Sequence, residues 1–478
     1  HSQGFCMNLD RAYENTAFID GGSSYPARWK SQAEAFRIAQ SGVPGPVFLE
    51  CPVDLLYDAE TIKGWYTAKS KDPTRRPSLQ ERALNAYLGV HTHRLFSGVK
   101  RQKIHDPEAV AVPKPARNLV SLAAKKLHAA ERPVLVVGSQ AMSRPDEAHA
   151  IAKSVEALGI PVYLSGMARG LLGKRHDLHM RHGRRKALKK AAVVILAGVP
   201  CDFRMDYGRH IPRKAFFISA NRSTAEMNKN RKPSLAVLGD AGRFLQQLSR
   251  ECPANEGAHH DWVTQLREAD NARDTDIRSR SSSSEEDADT PLLNPLDLCQ
   301  QIEAQLDEDS ILVADGGDFV ATASYIVSPR GPLSWLDPGV FGTLGVGAGF
   351  ALGAKLVRPS AETWIIYGDG SSGYSLAEFD TFARHKIPVI AVVGNDACWT
   401  QIARDQVEML GDDVGCPLVR TDYHKVAEGF GGVGLVVSKT SDIPEVLAKA
   451  KQAAADGKPV LINAHLGKTD FRKGSLSM

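Results

Sequence analysis

The sequence predicts an α/β protein built of doubly wound parallel sheets. Three observations carry that expectation. From Asn118 onward, short apolar runs alternate with helical stretches. Those runs are continuously apolar, as strands buried on both faces must be. In the last third, glycine clusters follow directly on such runs, at the strand ends where open α/β sheets bind their ligands.

The first segment, 1–60, shows helical spacing at Ala33, Ala35, Phe36, Ile38 and Ala39, a Ser-Gly-Val-Pro-Gly break at 41–45, and a buried strand over 46–49 closed by Cys51-Pro52. Residues 61–115 mix polar helix with proline and arginine clusters and read as a crossing linker. A central domain, 116–252, opens with a helix through Leu119, Leu122, Ala123 and Leu127 that feeds a strand at 133–137. Further strands are expected at 161–164, 193–197, 215–219 and 235–238. Residues 253–290 are expected to be a flexible linker, because the run 273–289 holds almost no apolar residue to offset its ordering entropy. A second α/β domain, 291–478, should contain helices at 296–306, 376–384 and 423–430 and strands at 311–313, 362–367, 388–393 and 459–464.

Composition narrows the function classes. With 478 residues and 43% hydrophobic content, the chain requires two or three domains and is too apolar for disorder. A net charge of +4 offers no field for nucleic acid, and the basic runs Lys174-Arg175 and Arg184-Arg185-Lys186 read as solvated helix faces. The longest apolar stretch, 191–200, is about half of a bilayer span, so no membrane segment is expected in this sequence. Seven widely spaced cysteines, with no C-x-x-C pair, suit a reducing compartment rather than a zinc site or disulfide framework. The first residue is histidine with no leader pattern before Cys6, which predicts a sequence starting inside a longer protein, its targeting signals removed.

The chemistry concentrates in 291–478. Three glycine clusters follow strands there: Asp315-Gly316-Gly317-Asp318, Gly342-Thr343-Leu344-Gly345-Val346-Gly347, and Gly368-Asp369-Gly370-Ser371. Glycine lets backbone N–H groups approach phosphate oxygens, and a following helix adds its positive end. Asp369 ends one strand and Asp396, 27 positions later, ends the next. If these strands are parallel neighbours, both carboxylates emerge at one edge, where they suit a hard cation such as Mg2+ completed by a backbone carbonyl, diphosphate oxygens and water.

The stretch Gly368-Asp369-Gly370, followed about two dozen residues later by Asn395-Asp396, resembles the G-D-G…N-N fingerprint of thiamine-diphosphate-dependent enzymes. The resemblance implies thiamine diphosphate and Mg2+ as cofactors, with Asp369 and Asp396 as side-chain metal ligands, Cys398 as a carbonyl ligand, and Asn395 grouped with them as the brace of the turn. Asp396 departs from the family, which usually has Asn there. Residues 45–54 look like the last strand of that family's pyrimidine-binding domain, and 116–250 like its central Rossmann-like domain. The implied architecture is therefore the family's, with an incomplete first domain. Within the family, the run 336–351 is similar to the 2-hydroxyacyl-CoA and oxalyl-CoA lyases, as is Gly373-Tyr374-Ser375. The ending Thr469-Asp470-Phe471-Arg472 resembles their acetolactate-synthase-like branch in animals. By that match the Gly342 carbonyl should accept the cofactor's 4′-amino group, with Thr343 beside it and Leu344 enforcing the bent cofactor. Gly317, Asp318, Gly370 and Ser371 should meet the diphosphate or its edge.

The family also needs a glutamate at the pyrimidine N1′. No counterpart occurs here, so no catalytic residue is assigned in this chain and the activating glutamate is expected upstream. Glu50 closes the wrong strand for that role. His91 and His93 form an H-x-H without a third ligand and read as solvent-facing, while Thr421 and Asp422 read as N-caps. Gly198-Val199-Pro200-Cys201-Asp202-Phe203-Arg204 could take the ADP part of a nucleotide or of CoA, but it resembles the flavin-contacting segment of acetolactate synthases only loosely, so FAD is not expected.

Three readings follow: a lyase cleaving a 2-hydroxyacyl-CoA to formyl-CoA and a shortened fatty aldehyde; an acetolactate-synthase-type carboligase; or a catalytically incomplete fragment that pairs with complete subunits. The resemblance further implies a homodimer or homotetramer, and an endoplasmic reticulum membrane location through an anchor that this sequence does not contain.

Overall fold

The computed structural model describes residues 17–20, 25–50, 57–66, 78–97, 109–252, 259–281 and 292–473. These fall in two compact units, 1–113 and 114–478.

In the first unit, β1 (Ala17–Asp20) and β2 (Val47–Glu50) pair in parallel, joined by helix α1 (Tyr25–Gln40). Two further helices follow, α2 (Ala59–Trp65) and α3 (Leu79–Phe96). Their starts are locally specified: Asp58 accepts from the Glu60 and Thr61 amides, and Ser78 with Glu81 forms a capping box. The stretch read as a linker thus carries two capped helices. His91 and His93 lie on α3, His91 against the rings of Tyr66 and Tyr87.

The second unit holds two sheets. The central one comprises β3 (Pro133–Val137), β4 (Val162–Leu164), β5 (Val193–Ala197), β6 (Phe216–Asn221) and β7 (Leu235–Leu238), parallel in the order β4-β3-β5-β6-β7. Around it lie α4 (Arg117–His128), α5 (Ala148–Ala157), α6 (Arg184–Lys190), the single turn α7 (Thr224–Met227) and α8 (Ala241–Glu251). The period of two along each strand explains the unbroken apolar runs. Leu135, Val137, Ile195 and Ala197 cluster with Leu127, Ile151 and Phe244 on one face, and Val134, Val136, Val194 and Leu196 cluster with Leu188 and Trp262 on the other.

Trp262 belongs to α9 (His260–Ser281), a 22-residue helix where a flexible linker was expected. Its composition is polar, but three spaced residues dock it. The Trp262 indole donates to the Pro133 carbonyl (3.0 Å), Ile277 is buried, and the buried Asp270 carboxylate accepts from the Arg181 and His182 amides. Tertiary contacts override the weak amphipathic pattern. Residues 253–258 and 282–290 of that expected linker lie outside the described residues.

The C-terminal sheet contains β8 (Ile311–Asp315), β9 (Trp335–Leu336), β10 (Thr363–Gly368), β11 (Ile390–Asn395), β12 (Val433–Val437) and β13 (Val460–His465), parallel in the order β12-β13-β11-β10-β8-β9. Its helices are α10 (Pro295–Gln305), α11 (Asp318–Ile326), α12 (Gly347–Val357), the short turn α13 (Asp369–Ser372), α14 (Glu378–His385), α15 (Thr400–Leu410), α16 (Tyr423–Gly429) and α17 (Ile443–Ala455). Again two cores form, Leu312, Trp364, Ile366 and Val392 on one face and Val313, Ile365, Tyr367 and Val393 on the other. Both sheets are parallel with helices on both faces, as the apolar runs predicted. Among the described residues, no helix is long and apolar enough to cross a membrane.

Candidate cofactor and metal site

The chain leaves β8 toward β9 on one side and leaves β10 toward β11 on the other, so the strand order reverses between β8 and β10. The carboxyl ends at such a reversal leave a crevice for a ligand, and the three glycine clusters meet there. Gly316 and Gly317 turn out of β8 with φ of 65° and 94°, a region other residues disfavour. The Gly368 amide donates to the Gly316 carbonyl at 3.0 Å, and a Cβ on Gly368 would stand 2.8 Å from that oxygen. The first and third clusters therefore touch backbone to backbone. The middle cluster is tied in by the buried Asp315, whose carboxylate accepts from the Gly345 amide at 3.1 Å and the Gly347 amide at 2.8 Å. Leu344 is half-buried and lies against Gly316, where an added Cβ would meet its Cδ2 at 2.2 Å. Gly342, with φ 57°, and Thr343 stand exposed.

β10 and β11 are parallel neighbours with Gly368 opposite Gly394, so Asp369 and Asp396 do leave the sheet at one edge. Between them is a cavity of about 20 Å³, lined by Gly317, Asp318, Gly368, Asp369, Gly370, Ser371, Asp396, Cys398 and Trp399 among others. It has room for one water-sized body. Asp369 is buried; its Oδ1 accepts from the Gly370 amide at 2.7 Å and its Oδ2 from the Cys398 amide at 3.2 Å. Burial pushes its carboxyl above the ordinary range, partly offset by those amides. Asp396 is pushed up to about 6, first by burial and then by repulsion from Asp369 and Asp318, while the Thr400 hydroxyl, donating at 2.6 Å, pulls the other way. The turn is strained at Ala397, φ 56°, and is held by the Leu418 amide on the Ala397 carbonyl and the Trp399 amide on the Cys416 carbonyl, both 2.8 Å.

Three assigned residues have side-chain partners that the sequence did not show. Asn395 is not among the residues lining the cavity; its buried amide N–H2 donates to the Thr421 carbonyl and to Asn463 Oδ1, both at 3.1 Å, so it braces the turn from behind. Asp318 lines the cavity, and Arg404 holds its carboxylate at 3.0 and 2.7 Å. The Ser371 hydroxyl is spent on the Asp315 and Gly368 carbonyls, so only its backbone is available. Asp422 occupies the N-cap position of α16 without a capping hydrogen bond, its carboxylate pairing instead with Lys425.

Sequence reasoning missed Trp399, whose indole lies 2.5 Å from where a Gly370 Cβ would be, and Arg404. Both follow the motif within nine residues of Asp396, but neither has a spacing signature. It also misread Arg184 as solvated. That residue is half-buried, donating to the Arg204 carbonyl at 2.7 Å and lining a large cavity beside α11. Arg185 and Lys186 beside it are exposed, so within this run only Arg184 turns inward.

Among the described residues no cluster of three or more His, Cys, Asp or Glu side chains converges. Two carboxylates at a water-sized hole, walled by backbone, still fit a hard cation that takes its other oxygens from a carbonyl, a ligand phosphate and water. Glycine turns at the amino ends of α11 and α13 fit a diphosphate.

Comparison with known proteins agrees with this geometry. Residues 315–464 match the thiamine pyrophosphate enzyme C-terminal TPP binding domain, and residues 120–248 the thiamine pyrophosphate enzyme central domain. The chain is 47% identical to 2-hydroxyacyl-CoA lyase 2 of Danio rerio over 451 residues, covering 93% of this chain and 71% of that protein. It is 47% identical to 2-hydroxyacyl-CoA lyase 2 of Homo sapiens over 454 residues, 93% of this chain and 70% of the relative. A probable acetolactate synthase of Mycobacterium bovis is 33% identical over 357 residues, 74% of this chain and 63% of the relative. With both matched domains folded as described and the glycine turns assembled at one crevice, the chain belongs to the thiamine pyrophosphate enzymes.

Proposed function

We propose that the protein is a thiamine-diphosphate- and Mg2+-dependent carbon–carbon lyase that cleaves a 2-hydroxyacyl-CoA to formyl-CoA and an aldehyde one carbon shorter. When bound, thiamine diphosphate supplies a nucleophilic and electron-accepting thiazolium carbon. The chain's part is to hold and orient. Asp369, Asp396 and the Cys398 carbonyl would hold the cation, the backbone N–H groups of Gly317 and Ser371 would meet the diphosphate, and the Gly342 carbonyl and Leu344 would orient the pyrimidine end. In the net reaction the C1–C2 bond breaks, the hydroxyl proton is lost as C2 becomes the aldehyde carbon, and a proton joins C1. No oxidant or reductant is needed.

The observation that supports a CoA thioester is a cationic cavity of about 780 Å³ beside α11. Arg169, Arg181, Arg184, Arg185, Lys186 and Lys190 line it, against one carboxylate among the described lining residues, Asp206. Arg169 donates to the Ser324 carbonyl, Arg181 to the Tyr325 and Val327 carbonyls, and Arg184 to the Arg204 carbonyl; none of the three forms an ion pair among the described residues. Burial lowers all three below their ordinary range. Arginines held by carbonyls and without an ion pair among the described residues suit phosphates. Tyr325 is seven residues along α11 from Asp318, about 10 Å at 1.5 Å per residue, within reach of an extended pantetheine arm. Phe341 and Tyr374, each 67% exposed beside the middle glycine cluster, favour a face completed by a second copy.

The test is product analysis with thiamine diphosphate and Mg2+, offering a 2-hydroxyacyl-CoA and pyruvate separately. Shortened aldehyde and formyl-CoA are expected. Acetolactate as the main product would instead establish the carboligase reading that the mycobacterial relative suggests.

A further inference from the structure

Asp315 is the last residue of β8 and is fully buried. Among the described residues it makes no ion pair, although a buried carboxylate ordinarily needs one or a set of strong donors. Its donors are all backbone: both carboxylate oxygens lie 3.1 Å from the Gly345 amide, and Oδ2 also accepts from the Gly347 amide at 2.8 Å. Its own carbonyl accepts from the Ser371 hydroxyl. One residue therefore joins all three glycine turns, its own, the 342–347 turn through the side chain, and the 368–371 turn through the main chain. Steric packing leaves the 342–347 turn little choice of place. A Cβ on Gly347 would stand 2.9 Å from Asp315 Cβ and 2.8 Å from the Tyr367 ring, and Gly345 has φ 88°. The exposed half of that turn, Gly342 and Thr343, has no such anchor of its own. Burial raises the Asp315 carboxyl above the ordinary range, and the same two glycine amides that it holds offset part of that rise.

We propose that Asp315 is a positioning residue, its carboxylate setting the 342–347 turn so that the Gly342 carbonyl and Leu344 are held opposite the diphosphate turn. This rests on the cofactor reading given above, in which the 342–347 turn meets the pyrimidine end and residues 317 and 369–371 meet the diphosphate end. Asparagine at this place would present one acceptor where two amides converge, and turn an N–H2 group toward them.

The experiment compares the full chain with Asp315→Asn, titrating each in saturating Mg2+ with thiamine diphosphate and with inorganic pyrophosphate. Pyrophosphate reads only the diphosphate end. The variant should bind pyrophosphate within about twofold of the wild type but thiamine diphosphate about tenfold more weakly, the loss of one or two charge-assisted hydrogen bonds. Equal thiamine diphosphate affinity would overturn the inference, and a parallel loss for both ligands would show a purely structural role and overturn it as well. Wild-type protein that binds thiamine diphosphate no more tightly than pyrophosphate would sink the cofactor reading itself, a result distinguishable because it precedes any variant. Should Asp315→Asn not fold, hydrogen exchange on the wild type decides. Gly345 and Gly347 amides protected like those of β8 support the inference, and exchange at the rate of exposed amides refutes it.

Discussion

Replacing Asp396 with asparagine separates the two things that this carboxylate does. Its carboxyl is raised from 3.8 to about 6, by burial first and by the neighbouring Asp369 and Asp318 next. Two pKa units at about 1.4 kcal/mol each come to roughly 3 kcal/mol, and partial exposure reduces this to about 2 kcal/mol. The sign is opposite to that of a salt-bridged acid. An unfolded carboxyl titrates near about 3.9, so between there and about 6 the folded chain keeps a proton that the unfolded chain has lost, and stability falls as pH rises through that window. Above it the penalty is complete. Without metal, Asp396→Asn should therefore be more stable than the wild type at pH 7.5, by about 2 kcal/mol or several degrees in Tm, with the gap closing toward pH 4.5. The Thr400 hydroxyl that donates to Asp396 at 2.6 Å can donate equally to an amide oxygen.

Metal reverses the order. A cation between Asp369 and Asp396 removes the repulsion, so Mg2+ should stabilise the wild type strongly at pH 7.5 and little at pH 5, while the variant binds free Mg2+ roughly tenfold to a hundredfold more weakly. The second carboxylate also repels a diphosphate at about 6 Å by roughly 3 kcal/mol at an effective dielectric of 20. Thiamine diphosphate affinity at saturating Mg2+ should thus be equal or better in Asp396→Asn, whereas Asp369→Asn should harm both ligands. Thermal unfolding across pH with and without Mg2+, and calorimetric titration, read these effects. A variant less stable than wild type without metal, or a stability gap unchanged between pH 4.5 and 7.5, would refute the reasoning. So would loss of metal binding in Asn395→Ala alongside no change in Asp396→Asn.

Three other substitutions test separate parts of the structure. Gly370→Ala would drive a methyl to 2.5 Å from the Trp399 indole, so it should lower Mg2+–pyrophosphate affinity about tenfold or more, with partial recovery when Trp399→Ala is added; no effect would mean that the indole moves freely. Arg181→Ala should raise KM for an acyl-CoA about tenfold with kcat within about twofold, the signature of lost binding to a remote phosphate; a fall in kcat alone would place the cationic cavity outside substrate recognition. Asp270→Ala should destabilise the second unit by about 3 kcal/mol in denaturant unfolding, since it strands the Arg181 and His182 amides and removes the carboxylate beside the Arg267 guanidinium; a change under about 0.5 kcal/mol would mean that α9 is not docked.

What the sequence made legible was what local chemistry dictates. Strands buried on both faces must be apolar throughout, so β5 and β10 stand within a residue of their expected places. Turns that approach phosphate must be glycine, so the three clusters were visible, and parallel neighbours put Asp369 and Asp396 at one edge. Side-chain direction was not legible, because it depends on partners far along the chain. Asn395 turns to Asn463, 68 residues away, and Asp318 to Arg404, 86 residues away. The helix α9 was hidden for the same reason, since its polar surface is stabilised by Pro133 and the 181–182 amides rather than by its own pattern. Arg184, in the otherwise exposed basic run at 184–186, is the sharpest case. Charge alone reads as solvated surface, and only the packing of α11 against the central domain converts Arg169, Arg181 and Arg184 into the wall of a cavity. It follows that the two ends of the proposed substrate site differ in how they are encoded. The diphosphate end is written in contiguous motifs that a single sequence displays, whereas the cationic cavity is assembled from segments far apart in the chain and joined only by tertiary contacts. The Arg181→Ala and Asp396→Asn experiments therefore probe independent parts of the molecule, and agreement between them would not follow from the motif alone.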